Sequence, residues 1–223
     1  LYVSPERLQT DAFIEAFKMM NVCLLAVDES HCISQWGYDF RPPYLKIADI
    51  RPYKPKTPVL ALTATATAKV VDDIQFRLGF KQRNVFQSSF ERKNVTYNVI
   101  HEADKYGIML RKLQAMQSGS AIVYVRNRKR TQVIADWLNS VGVPATFYHA
   151  GLDAKTRDQR QDLWMKGQVK VIAATNAFGM GIDKPDVRLV IHLDLPDSIE
   201  AYFQEAGRAG RDLQPAEAFL LVS

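Results

Sequence analysis

Val22-Cys23-Leu24-Leu25-Ala26-Val27 runs without a polar break into Asp28-Glu29. An apolar run of this kind predicts a strand buried on both faces of a parallel sheet, which commits the chain to an α/β fold with helices on each side. In such sheets, ligands bind beyond the carboxyl ends of the strands. A carboxylate pair at that point can hold Mg²⁺ through one carboxylate and orient a water through the other, as nucleotide hydrolysis requires. A charged strand-to-loop transition is the alternative, so the remaining strand ends decide.

The rest of the chain alternates in the same way. Leu1 to Val3 reads as the tail of a strand, and Ser4-Pro5-Glu6 as a helix start with proline at the first position. That helix is expected to reach Met20, with Phe13, Ala16, Phe17 and Met20 on its apolar side. A short helix is expected over 44–50 and a buried strand over Val59 to Leu62. A helix follows, ending near Gly79. The polar segment Gln87 to Val95 predicts a boundary between domains 1–90 and 91–223. Beyond it, strands are expected at 121–125, 145–148, 169–173, 188–193 and 218–222. Helices are expected at 129–141, 154–166 and from about Ser198. The 129–141 helix puts Val133, Ile134, Trp137, Leu138 and Val141 on one face, with Gly142 as its stop. Two doubly wound parallel sheets result, the second complete and the first resembling the latter half of such a unit.

Composition narrows the setting. A net charge of +5 over 223 residues permits a polyanionic partner without demanding one. Two cysteines without a CxxC spacing argue against a disulfide framework and against a zinc site in this chain. They point to a reduced, intracellular setting. No apolar run approaches the roughly 18–20 residues of a membrane span. The opening Leu-Tyr-Val-Ser-Pro resembles neither an initiator methionine nor a signal peptide, so the chain is expected to start in mid-fold.

Four further strand ends carry polar residues. Thr63-Ala64-Thr65 offers small hydroxyls where the sheet would meet a neighbouring domain, or simple helix caps. Arg126, Arg128, Lys129 and Arg130 crowd a helix start against the helix dipole. An incoming phosphate would relieve that, although a solvated charge run reads equally well. Thr175 opens the segment leading to Gly179, Gly181 and Asp183. The glycines allow close backbone approach of a ligand, and Asp183 can accept from a ribose hydroxyl. Gln204, Arg208 and Arg211 fall at i, i+4 and i+7, one face of a helix, with Gly207 and Gly210 inside it at a cost of about 1 kcal/mol each. Arginines on such a face can supply charge to a γ-phosphate. Finally, His31 to Tyr44 interleaves Trp36, Tyr38, Phe40 and Arg41 without periodicity. This suits base stacking, or an aromatic minicluster pinning its own loop.

In order and spacing these strings resemble a RecQ-family DNA helicase of the bacterial type, over nearly the whole chain. The resemblance implies RecA-like domains and an ATP-driven 3′-to-5′ helicase acting on single-stranded and partly duplex DNA in repair and recombination. It makes Asp28-Glu29-Ser30-His31 the Walker B box, and Tyr2 to Arg7 a strand-contact motif that brings Pro5 and Arg7 to DNA. The aromatic loop becomes the element coupling DNA to the ATPase. Leu62 to Ala66, Ala177 to Pro185 and Gln204 to Asp212 become the third, fifth and sixth helicase motifs. ATP and Mg²⁺ are the implied cofactors. Arg126, Arg128 and Thr175 are expected at the DNA, and Gly179, Gly181, Asp183, Arg208 and Arg211 at the nucleotide. No G-x-x-x-x-G-K-[ST] string occurs in the chain, so the chain alone is expected to lack ATPase activity. A DEAD-box RNA helicase is the nearest alternative, against which stand Ser30-His31 and Gly207. A nucleic-acid-binding module without ATPase activity is the other.

Overall fold

The computed structural model describes residues 1–37, 39–89, 91–179 and 181–223. Tyr38 of the aromatic stretch, Phe90 of the boundary segment and Met180 of the fifth motif lie outside the described residues. Internal contacts divide the chain into two units, Leu1–Ser88 and Ser89–Ser223.

The first unit is built on two parallel strands, β1 (Leu25–Val27) and β2 (Val59–Ala61), with Leu25 opposite Val59 and Val27 opposite Ala61. Phe13 and Phe17 of α1 (Asp11–Met19) and Val70 and Ile74 of α2 (Ala68–Arg77) cover one side, together with Ile47 and Ile50. Ile47 and Ile50 belong to a 3₁₀ stretch over Pro42–Tyr53, longer than the helix expected there. Ser4-Pro5 starts a 3₁₀ turn (Arg7–Gln9) rather than the helix, which begins only after Thr10. On α1, Ala16 faces solvent. β1 is also shorter than its apolar run and is not buried on both faces. Cys23, Leu24, Ala26, Leu60 and Leu62 are exposed, because a sheet of two strands covers little of their far side.

The second unit is a six-stranded parallel sheet in the order β3-β8-β7-β4-β6-β5. Its strands are β3 (Val95–His101), β4 (Ser120–Tyr124), β5 (Ala145–Tyr148), β6 (Val171–Ala174), β7 (Val187–His192) and β8 (Ala216–Val222). Alternation along each strand feeds two cores. Ala121, Val123, Ile191 and Phe219 pack under α3 (Lys105–Ala115) and α4 (Arg128–Ser140). Ile122, Tyr124, Ile172 and Val190 pack under α5 (Ala154–Met165) and α6 (Ile199–Ala206). β3 and α3 were not foreseen. Side-chain caps start all four helices of this unit: Asp104 on α3, Asn127 on α4, Asp153 on α5 and Ser198 on α6. The buried face of α4 is Thr131, Ile134, Ala135 and Leu138, so Val133 and Val141 turn outward. Gly142 at φ +80° stops α4 as expected. The chain leaves β4 toward β5 and leaves β7 toward β8, so the crevice between the carboxyl ends of β4 and β7 is the switch point of this sheet.

Candidate nucleotide and nucleic-acid site

In the first unit, Ser30 N–H donates to Leu62 O (2.8 Å) and Leu62 N–H to Val27 O (2.8 Å), tying together the ends of β1 and β2. Between them Glu29 takes a left-handed conformation (φ 48°, ψ 42°), which costs a residue with a Cβ about 1–3 kcal/mol. The bend turns the Glu29 carboxylate back onto His31: Oε2 lies 3.3 Å from His31 Nδ1, which is also 3.0 Å from Thr63 Oγ1. His31 is buried, and burial pushes its imidazole below the usual histidine range, outweighing Asp39. Asp28 stays exposed while its Oδ1 accepts Glu29 N–H (2.9 Å). An exposed carboxylate at a strand end is a hard oxygen donor and fits Mg²⁺.

The other ring nitrogen, His31 Nε2, faces Cys32 Sγ at 3.7 Å, and that thiol lies 3.8 Å from Asp39 Oδ2. Burial pushes the Cys32 thiol up to about 12, so it is neutral. Asp39 Oδ2 in turn accepts from Arg41 Nε (3.1 Å) and Nη2 (2.7 Å). A continuous line of contacts therefore joins Glu29 to the arginine of the aromatic loop. Gly37 packs so closely on this line that a Cβ would stand 2.6 Å from His31 O. Trp36 is 63% exposed, with Lys69 Nζ 3.2 Å above its ring; Phe40 is half-buried. Pro5 is half-buried and Arg7 exposed in their 3₁₀ turn.

In the second unit, a cavity of about 240 Å³ opens at the β4–β7 switch point, lined by Arg126, Asn176, His192, Asp194, Asp197 and Glu205 among others. Two of the four cations at the start of α4 meet carboxylates. Arg126 pairs with Asp197, its N–H donates to Asp194 Oδ2 (3.0 Å), and Arg130 Nη1 meets Asp194 Oδ1 (2.5 Å). Arg128 lies beside His149, which burial, Arg128 and Arg160 together lower. Thr175 is buried, its N–H donating to Tyr148 O (3.3 Å).

The expected helical face of Gln204, Arg208 and Arg211 does not form. α6 ends at Ala206, with Gln204 inside it, and Gly207 is its C-cap. The arginines sit in the turns that follow. Gly210 at φ +58° redirects the chain, and its N–H donates to Val187 O (2.8 Å). Arg208 is 7% exposed and donates through Nη1 to Gly179 O. Gly179 therefore lacks a side chain to admit Arg208, because a Cβ there would overlap the guanidinium. Gly181 at φ +75° has open space around its Cβ position. Arg211 donates to Ile182 O (3.0 Å) and Asp183 Oδ1 (3.0 Å), its side chain 37% exposed.

Three supports escaped the sequence. Arg92 donates to the carbonyls of Gly207, Ala209 and Gly210, and Asn94 to those of Gly210 and Gln214. His192 and Glu205 form a buried pair at 2.8 Å, His192 stacking on Tyr124. None has a periodic signal. The exposed-looking polarity of Gln87 to Val95 concealed Arg92 and Asn94.

The DEAD/DEAH box helicase family matches residues 1–74, and the helicase conserved C-terminal domain matches residues 104–212. An ATP-dependent DNA helicase RecQ of Haemophilus influenzae is 43% identical over 220 residues, covering 99% of this chain and 36% of that protein. The RecQ-like DNA helicase blm-1 of Caenorhabditis elegans is 44% identical over 232 residues, covering all of this chain and 24% of that protein. The chain belongs to the RecQ family of helicases. It spans about a third of the bacterial RecQ proteins it matches, 36% and 35% of two of them. Its fold is that of RecA-like helicase domains. The Mycobacterium smegmatis helicase Lhr bound to ssDNA and AMP-PNP superposes with a TM-score of 0.75 at 19% identity, over 98% of this chain and 31% of that one. The yeast (Saccharomyces cerevisiae) Dbp5 bound to RNA and ADP BeF3 does so at 0.71 and 23% identity, over 94% and 56%. Among the described residues, no helix is long and apolar enough to cross a membrane.

Proposed function

We propose that this chain forms part of the motor of an ATP-dependent DNA helicase that moves 3′ to 5′ on single-stranded DNA and unwinds partly duplex DNA in repair and recombination. One observation carries the proposal: the contact line from Glu29 through His31, Cys32 and Asp39 to Arg41, in the loop that also exposes Trp36. A base stacking on Trp36 is worth roughly 1–3 kcal/mol, enough to bias a loop between two arrangements. Through that line the change reaches the carboxylate that orients the attacking water. In this proposal Asp28 holds Mg²⁺, which offsets phosphate charge when bound. Arg211, the more exposed of the two arginines, is the better-placed charge donor, while Arg208 ties the sixth motif to the fifth. The cavity lined by Arg126 and Asn176 receives a DNA phosphate at the switch point.

The test uses the intact helicase that contains this chain. Glu29→Gln abolishes ATP hydrolysis with and without DNA. Trp36→Ala loses most of the DNA stimulation while basal hydrolysis, DNA affinity and melting temperature change little. A Trp36→Ala protein that is destabilised, yet still fully DNA-stimulated in its folded fraction, would refute the coupling role. The 223-residue chain alone, which has no phosphate-cradling G-x-x-x-x-G-K-[ST] loop, is expected to show no turnover.

A further inference from the structure

We propose that His31, Cys32 and Asp39 form a binding site for one thiophilic divalent cation of the zinc class, separate from the Mg²⁺ position at Asp28. The ligand atoms of the three residues all lie within 4.8 Å of one another. Ligands held tetrahedrally at 2.0–2.3 Å from zinc stand about 3.3–3.8 Å apart. Two of the three separations already match: Nε2 to Sγ is 3.7 Å and Sγ to Asp39 Oδ2 is 3.8 Å. The backbone fixes this spacing, because Arg41 N–H donates to Cys32 O (2.9 Å) and folds the Asp39 segment back over the turn.

The surroundings of the histidine suit a ligand as well. Its Nδ1 has two acceptors in reach, the Glu29 carboxylate at 3.3 Å and Thr63 Oγ1 at 3.0 Å, so with the ring proton on Nδ1 the Nε2 lone pair, on the thiol side, is free for the metal. A carboxylate behind a ligating histidine is the common second layer of a zinc site. The sulfur donor selects against Mg²⁺ and for zinc or cadmium. On binding, the S–H bond of Cys32 breaks, its proton leaves to solvent, and a sulfur–metal bond forms, with water as the fourth ligand. Asp39 then turns from Arg41 to the metal, and the loop is clamped onto His31. Occupancy is therefore inhibitory for any process that needs the loop to move.

The probe is cadmium chloride added to the 223-residue chain, read by the ultraviolet charge-transfer absorption of a cadmium–thiolate bond. The chain has two cysteines, and the exposed Cys23 is an internal control. The expected result is saturation at one ion per chain, unchanged in Cys23→Ser and in excess magnesium, and lost in Cys32→Ser. Asp39→Asn, at a half-exposed position that leaves the core untouched, weakens binding at least about tenfold. Absorption that survives Cys32→Ser, disappears in Cys23→Ser, yields to magnesium or is indifferent to Asp39→Asn would overturn the proposal. So would the absence of any saturating band.

Discussion

Glu205→Ala tests whether the buried His192–Glu205 pair holds the end of α6 in place. Glu205 Oε2 stands 2.8 Å from His192 Nε2, with both residues under 9% exposed. His192 Nδ1 already has no partner among the described residues, so removing the carboxylate leaves the ring without a hydrogen bond on either nitrogen. A buried donor left unmade costs about 1–3 kcal/mol. The small cavity left by the truncated side chain adds to that. About 2 kcal/mol is therefore expected, or roughly 6–10 °C in Tm for a unit of this size. Glu205→Gln keeps an acceptor at the same reach and should lose less than half as much. Trp164 is fully buried in the second unit, so fluorescence in a background with Trp36 and Trp137 replaced by phenylalanine reports that unit alone. If Glu205→Ala lies within 0.5 kcal/mol of its parent, or Gln is as damaging as Ala, the pair contributes nothing and the reasoning fails.

Three further outcomes concern the same unit. Gly210→Ala should lose about 2–3 kcal/mol in that melt, because φ is +58° and the new Cβ would stand 2.5 Å from Asn94 Nδ2 and 2.8 Å from Gln214 O. Gly142→Ala, at φ +80° with nothing within 4 Å, should lose only about 1 kcal/mol. The His149 imidazole should titrate below about 6.5 by NMR, and Arg128→Gln should raise it, since burial and then the Arg128 cation disfavour its protonated form. A His149 pKa that does not move in Arg128→Gln would show that burial and Arg160 set it without Arg128.

Much of the second unit was legible because its strands are nearly continuous apolar runs ending in polar residues, and because Asp153 and Ser198 cap helices by local rules. The first unit was less so. The apolar run at Val22 states only that the residues can be buried; whether they are depends on how many strands flank them, and β1 has one partner among the described residues. Gln204 to Arg211 kept helical spacing on paper, but two glycines let the chain leave the helix at Gly207 and pass through a left-handed turn at Gly210. The arginines therefore ended on backbone carbonyls of the fifth motif rather than on a shared face. Contacts such as His31–Cys32–Asp39 or His192–Glu205 arise from a tight turn or from distant segments, and no periodicity encodes either.

Four of the basic residues expected to meet polyanion share one arrangement. Arg41 rests on Asp39, Arg126 on Asp197, Arg130 on Asp194 and Arg211 on Asp183. Each of these pairs is at least partly exposed, so each is worth only about 0–1 kcal/mol. An incoming phosphate would thus exchange one weak ion pair for another and free an aspartate to solvent. If the proposed function holds, two consequences follow from that exchange. The net attraction per contact is small, so a strand can be released as readily as it is gripped, which stepwise movement requires. And the salt dependence of binding should be shallower than the number of cations touching DNA implies, because each released carboxylate takes up counterions while the phosphate gives them up. Replacing Asp194 and Asp197 with asparagine in the intact helicase should therefore tighten single-stranded DNA binding and steepen its dependence on salt. Weaker binding with an unchanged slope would mean that these aspartates position the arginines instead of competing for them.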